Sequence, residues 1–215
     1  LVNGLHDQLD SDIEIHNLII IGPKQAGAKL EGSKSFAKRF MLKNKIPTAN
    51  FKSFNINNFQ EANTYLKQSS PPFVIKADGL AAGKGVFICQ TLEEANNVVK
   101  DIIVNKKFGD AGNKIVIESF LDGIELSVFV LTNGIDYKIL PTAKDYKRVG
   151  EDDLGLNTGG MGAISPVPFV DKVFMDKIKT KIIQPTLTGL KKEDIEYNGF
   201  IFFGLIKVGN EPFVI

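Results

Sequence analysis

The chain has no tryptophan, a single cysteine and only two histidines, His6 and His16, among its 215 residues. Each scarcity closes off a class of chemistry. One cysteine cannot build a disulfide framework, and Cys89 lies in an apolar run, so it reads as a packing residue in a reducing compartment. With both histidines near the start, a Ser-His-Asp or Cys-His arrangement or a zinc site is not expected in the remainder. An enzyme so composed must work with lysine, arginine, carboxylates and backbone dipoles, and phosphoryl transfer is a reaction run mainly by positioning and electrostatics. An excess of one charge is also missing: the net charge is +1 and no basic stripe interleaved with aromatics occurs, which argues against nucleic acid as a partner. No apolar run approaches membrane-spanning length and no signal peptide is visible. The expectation is a soluble, cytoplasmic protein with no membrane partner. The chain opens without methionine, and Phe213-Val214-Ile215 reads as the middle of a strand, so a piece of a longer protein is expected.

At 43% hydrophobic composition the chain can bury one large core or two modest ones. Its most telling stretch runs from Phe73 to Cys89. Two β-rich apolar segments, 73–75 and 86–89, flank a loop of small residues: Gly79, Ala81, Ala82, Gly83 and Gly85. Backbone N–H groups in such a loop are open to close approach. Lys76 and Lys84 flank it, and donors plus two cations suit a polyphosphate. The loop fails the P-loop pattern: three residues, not four, separate Gly79 from Gly83, and Gly85 follows Lys84 where a hydroxyl is needed. It reads either as a glycine-rich hairpin folded over phosphates or as a tight structural hairpin with two solvated lysines.

Around this loop the pattern is mixed α and β. An amphipathic helix is predicted over 1–16, from Leu5, Leu9 and Ile13, followed by a short strand at 18–21. A helix over 26–45, carrying Leu30, Phe36, Ala37, Phe40 and Met41, ends before Pro47. Strands are predicted at 51–54, 73–76, 86–89 and 115–118, with helices near 58–68 and 91–104, the latter opened by a Thr91/Glu94 capping box. A second unit holds strands at 126–131, 138–141 and 200–207 and a helix over 171–189. The apolar-poor stretch 144–168 is too long for an ordinary connection and reads as a functional or disordered loop.

Three further places carry candidate chemistry. Glu118 to Glu125 joins the two units; a hinge there could offer an adenine ring one donor, one acceptor and apolar walls, with Glu125 free to accept from ribose hydroxyls, or it could be a charged turn on Asp122-Gly123. Lys144 to Gly150 and Asn157 to Ala163 hold Arg148, one of two arginines, beside a glycine run able to expose successive donors as an anion nest; a solvated loop is the alternative. Lys34 alone is a surface lysine, and Met161 a packing residue.

Taken together, Leu30-Glu-Gly-Ser-Lys34, Ile46-Pro-Thr48, Val74 to Val86, Phe108 to Gly112, Glu118 to Gly123, Lys147 to Gly150 and Asn157 to Ala163 resemble the ATP-grasp enzymes, and specifically the phosphoribosylamine–glycine ligase family. The resemblance implies an ATP-grasp α/β (α+β) fold: residues 1–29 as the tail of a Rossmann-like domain, 30–47 a linking helix, 48–118 a small lid subdomain and 119–215 a larger antiparallel-sheet subdomain. It also implies residue roles. Lys34, Lys76, Gly83, Lys84 and Gly85 would contact or close over ATP phosphates, Glu118 and Leu121 would hold adenine, and Glu125 the ribose. Asp145, Arg148 and Gly160 would serve catalysis, and Asp78, Asn157, Thr158, Gly159 and Met161 would line the site for glycine and 5-phosphoribosylamine. Mg2+ is implied as well, with its Glu and Asn ligands expected beyond Ile215. Tyr146 and Leu156 stand where the family commonly has histidine and proline. The implied reaction joins glycine to 5-phosphoribosylamine through glycyl phosphate. A different ATP-grasp carboxylate–amine ligase and a non-catalytic nucleotide-binding fragment are the alternatives.

Overall fold

The computed structural model describes residues 1–11, 19–81, 83–151, 155 and 157–215. Strands β1 (Phe51–Asn55), β2 (Phe73–Ala77), β3 (Val86–Cys89) and β4 (Lys114–Ser119) form an antiparallel sheet in the order β1-β4-β2-β3. Side chains alternate across a strand, so each strand divides between two faces. On one face Phe73, Ile75, Ala77, Ile115 and Ile117 pack with Ala62, Leu66, Ala95, Val99, Ile102 and Ile103 from two helices. Those helices run over 59–68 and 92–103. The expected box holds the second of them: Glu94 N donates to Thr91 Oγ1 at 3.1 Å and Thr91 N to Glu94 Oε2 at 3.3 Å. The register places Val74, Lys76, Val86, Ile88, Val116 and Glu118 together on the other face. That face carries the charge.

A second antiparallel sheet orders β10-β9-β5-β6, from β5 (Ile124–Thr132), β6 (Tyr137–Ile139), β9 (Gly199–Val208) and β10 (Glu211–Val214). Its inner face, with Leu126, Val128, Val130, Ile201, Phe203 and Leu205, packs on Phe174, Ile178, Ile182, Ile183 and Leu190. These come from one helical run over 172–192 that widens into a π turn at Lys179–Ile183. The turn directly precedes Pro185, which has no N–H to give the carbonyl four residues back. The opposite face presents Phe129 and Phe202, ring centroids 5.5 Å apart, with Phe200 and Leu131 exposed beside them.

Four expectations are corrected. The helix over 26–45 is two helices, α2 (Gln25–Gly32) and α3 (Lys34–Lys43). Ser33 between them is extended (φ −143°, ψ 111°), and its hydroxyl accepts from Phe36 N, so a serine after glycine restarts the helix as its N-cap. At the start, helix α1 covers only Leu5–Asp10, and residues 12–18 lie outside those described. Leu18 of the expected strand also lies outside them; residues 19–21 pair with no strand among the described residues, and without a ladder partner no strand forms. Within the stretch 144–168 two segments are strands, not loop: β7 (Lys144–Arg148) and β8 (Asn157–Ile164) pair antiparallel with an irregularity between Tyr146 and Arg148, and residues 152–154 and 156 lie outside those described. Among the described residues no helix is long and apolar enough to cross a membrane.

Candidate nucleotide-binding site

Glu118, on β4, is the centre of the site. Its side chain is 3% exposed, and two ammonium groups meet it: Lys38 Nζ at 2.7 Å from Oε2 and Lys76 Nζ at 3.1 Å from Oε1. Register places Lys76 one strand away on the same face. The Lys76 ammonium is within ion-pair reach of Oε1 but out of line for a hydrogen bond, so that buried oxygen keeps acceptor capacity. Lys38 comes from α3, where Ala37, Lys38 and Phe40 are buried, and it also donates to Thr48 Oγ1 at 2.6 Å. Burial pulls the Lys38 pKa below its ordinary value; Glu118 opposes that, and the like charge of Lys76 adds to it.

One helical turn before Lys38 stands Lys34, whose Nζ donates to the carbonyl of Gly79 at 3.0 Å, at the root of the glycine-rich loop. Its pKa is also lowered, chiefly by burial, with Asp78 acting against this and Lys76 with it. Asp78 fastens loop to helix. Its carboxylate accepts from Ser33 Oγ at 2.8 Å and from Ser35 N, and its own carbonyl accepts from Lys34 N at 3.0 Å. Both oxygens of Asp78 thus face the start of α3. Three lysines therefore converge where, among the described residues, Glu118 and Asp78 supply the negative charge. Buried excess charge is costly unless a partner neutralises it, and the partner called for here is an anion.

The loop itself is shaped for backbone approach. Gly83 has φ +75° and is exposed, with nothing within 4 Å of where a Cβ would stand. Gly85 is buried, and a Cβ there would press on Ala81 and Ala77. Lys84 is exposed and its backbone N donates to Ala81 O, closing a turn. Beyond Glu118 the hinge holds Leu121, half-buried, and Gly123, where any Cβ would collide with the backbone carbonyl of Lys207. Glu125 follows, exposed on β5.

The remaining expected residues sit on the β7–β8 hairpin, which joins β5 through reciprocal backbone bonds between Ser127 and Ala143. Asp145 pairs with Lys147 at 3.0 Å, and Arg148 is half-buried opposite Asn157. Thr158 Oγ1 donates to Lys147 O at 2.8 Å and accepts from Gly160 N, locking the hairpin end. Gly159 and Gly160 (φ +132°) border open space, and Met161 is exposed rather than packed. The structure thus brings Lys34, Lys76, Asp78 and Glu118 into one cluster, while the bonds of Asp145 and Thr158 are made within the hairpin. Lys38, Thr48 and the apolar patch of Val74, Val86 and Ile88 beside Lys76 were not anticipated. The four-residue spacing of Lys34 and Lys38 was the available signal for the first. Two surface grooves, of about 380 and 410 Å³, are lined by none of these residues. Among the described residues no group of three or more His, Cys, Asp or Glu side chains is placed to hold a metal ion.

This arrangement has known counterparts. Residues 32–215 match the family described as phosphoribosylglycinamide synthetase, ATP-grasp (A) domain. The chain is 46% identical over 199 residues to the phosphoribosylamine–glycine ligase of Haemophilus influenzae, spanning 92% of this chain and 46% of that protein. Identity to the Neisseria meningitidis ligase of the same name is 45% over 205 residues, 95% of this chain and 48% of that one. The crystal structure of the phosphoribosylamine–glycine ligase of Thermotoga maritima superposes with a TM-score of 0.85 at 38% identity, covering 95% of this chain and 52% of that one. A D-alanine–D-alanine ligase from Coxiella burnetii, 15% identical with a TM-score of 0.67 over 94% of this chain and 51% of its own, shares the fold alone. The chain spans about half the length of the relatives it matches. Two antiparallel sheets meeting at Glu118, the lysines gathered on it and a match covering most of the chain lead to one assignment: the chain belongs to the phosphoribosylglycinamide synthetase ATP-grasp (A) domain family.

Proposed function

We propose that this chain is the ATP-binding part of a cytoplasmic ligase that joins glycine to 5-phosphoribosylamine, releasing ADP and phosphate. The observation that carries the reading is the convergence of Lys34, Lys38 and Lys76 on the face of Glu118, at the root of a glycine-rich loop. The names of the relatives supply the substrates. In this reading ATP lies between the two sheets. Val74, Val86 and Ile88 form an apolar wall for adenine, with Glu118 and the Leu121 backbone along its edge. Glu125 receives the ribose hydroxyls, and residues 48–118 act as the lid over residues 119–215.

A carboxylate is a poor acyl donor because its leaving group is oxide. Transfer of the γ-phosphoryl group to a glycine carboxylate oxygen breaks the bond to ADP and gives glycyl phosphate. The ribosylamine nitrogen then attacks the carbonyl carbon, loses a proton, and expels phosphate. The lysines neutralise the oxygens of the transferred group, positive charge fixed in advance where negative charge develops. Arg148, Asp145, Gly160 and the run Asn157 to Met161 hold the acceptors, and closure keeps water from the acyl phosphate. Mg2+ accompanies ATP in this proposal, but the described residues provide no set of ligands for it, and no step here depends on one. The test is ADP formation by the full-length protein. Release that requires glycine and 5-phosphoribosylamine together supports the assignment; release with another carboxylate–amine pair and none with glycine overturns it.

A further inference from the structure

Thr48 lies outside every role assigned above, yet it is bonded on both sides. Its hydroxyl accepts from Lys38 Nζ at 2.6 Å and donates to the carbonyl of Val214 at 2.7 Å. Val214 N donates in turn to Pro47 O at 2.9 Å, and Thr48 pairs with Val214 as a parallel bridge. A hydroxyl has one proton to give, and here it goes to the carbonyl, so the oxygen's lone pairs are directed at the ammonium. The end of β10, in the large sheet, is thereby bolted to the lysine that holds Glu118, in the small one.

We propose that Thr48 is a positioning residue for nucleotide binding, its hydroxyl holding Lys38 charged and directed toward Glu118 and the phosphate site. The inference rests on the nucleotide-binding reading above. The groups that face the Lys38 ammonium are Glu118 from β4, Lys76 from β2, the Thr48 hydroxyl and the Phe51 ring, 6.0 Å away; Lys34 stands on the same helix. Burial and Lys76 disfavour the charged form, and Glu118 and the hydroxyl favour it. Deleting the hydroxyl removes one of two hydrogen-bond acceptors and leaves the burial unchanged. The ammonium then loses its proton at lower pH, and affinity for a phosphate falls with it.

The experiment measures ATP binding by calorimetry across neutral to alkaline pH for the protein and for Thr48→Val and Thr48→Ser, with thermal unfolding of each recorded in parallel. Valine keeps the shape and lacks the hydroxyl; serine keeps the hydroxyl and lacks the methyl. Thr48→Val is expected to bind ATP within about twofold of the parent at neutral pH and up to about tenfold more weakly at alkaline pH, where its Lys38 has lost the proton that the parent's keeps. Its alkaline loss of affinity should begin about one pH unit lower. Thr48→Ser should match the parent in both respects. Lys34 and the ATP phosphates titrate alike in all three proteins, so a displaced limb reports on Lys38. A packing role would weaken binding without moving the limb, and an unmoved limb overturns the proposal. If the valine variant does not fold, serine decides alone: retained affinity and limb support the proposal, and their loss refutes it. Absence of ATP binding by the parent overturns the nucleotide reading and this inference together.

Discussion

Replacing Glu118 by glutamine keeps the shape of the side chain and removes the carboxylate that Lys38 and Lys76 share. Both ammonium groups are buried, at 3% and 9% residue exposure, and stand 2.7 and 3.1 Å from the carboxylate oxygens. The neutral amide leaves two like charges desolvated and opposed only by dipoles. Breaking a buried pair by deleting one partner costs about 3–5 kcal/mol, and total stabilities run to about 5–15 kcal/mol, so Glu118→Gln should leave a protein of marginal stability at pH 7. The loss must also depend on pH. Lys38 already has its pKa lowered by burial, with Glu118 the main opposing influence, so the substitution lowers it further. A lysine with a depressed folded-state pKa binds fewer protons folded than unfolded, and stability then rises with pH through the window between that pKa and the ordinary 10.5. In Glu118→Gln this window widens downward, and the deficit relative to the parent should shrink between pH 7 and pH 9.5. Urea denaturation at both pH values and fixed ionic strength measures it. Adding Lys38→Met to Glu118→Gln should restore part of the loss, because it removes one of the stranded charges. A deficit below about 0.5 kcal/mol at pH 7, within the ordinary range for surface substitutions, refutes the reasoning, as does a deficit that grows toward pH 9.5.

Two other substitutions probe the frame around this cluster. Gly123→Ala puts a methyl into the Lys207 carbonyl, and backbone must shift to admit it; a loss of about 1–3 kcal/mol is expected by thermal or chemical unfolding, and an unchanged midpoint shows that the hinge yields freely. Asp78→Ala leaves Ser35 N and the Ser33 hydroxyl without their acceptor at the start of α3, costing about 0.5–2 kcal/mol. It should also speed amide exchange in the first turn of α3, and unaltered exchange at Ser35 and Phe36 counts against the clamp.

The strands of both sheets were legible because their residues alternate or run apolar between turn residues. Val86 to Cys89 and Phe200 to Lys207 fall within one or two residues of the expected bounds. What failed was whatever depended on a partner elsewhere in the chain. The helix over 26–45 shows continuous apolar spacing, and nothing local says that Asp78 will arrive to fasten a new N-terminus at Ser33. The β7–β8 hairpin escaped notice for another reason. Asn157-Thr-Gly-Gly-Met-Gly has no alternation to read, since exposed glycines have no side chains to sort between two faces, and its pairing is backbone against backbone.

The site divides along the same line. Lys76, Gly83 and Gly85 stand out as candidates because small residues beside a lysine gather at one place in the sequence, the pattern a loop needs if it is to meet a ligand through its backbone. Lys38 could not, since what makes it unusual is burial, and burial comes from β4, β2 and the segment at Thr48. Its sequence spacing from Lys34 records that the two lysines share a helix face, and the fold alone shows that this face turns inward. The arithmetic of charge then follows. Lys34, Lys38 and Lys76 outnumber Glu118 and Asp78, and Asp78 is turned toward the start of α3. A chain that only needed stability would do as well with apolar residues in these positions, because a buried ion pair is seldom worth more than good packing. In the proposed reading the imbalance is met by the phosphates of ATP, with Glu118 holding Lys38 and Lys76 in place for them.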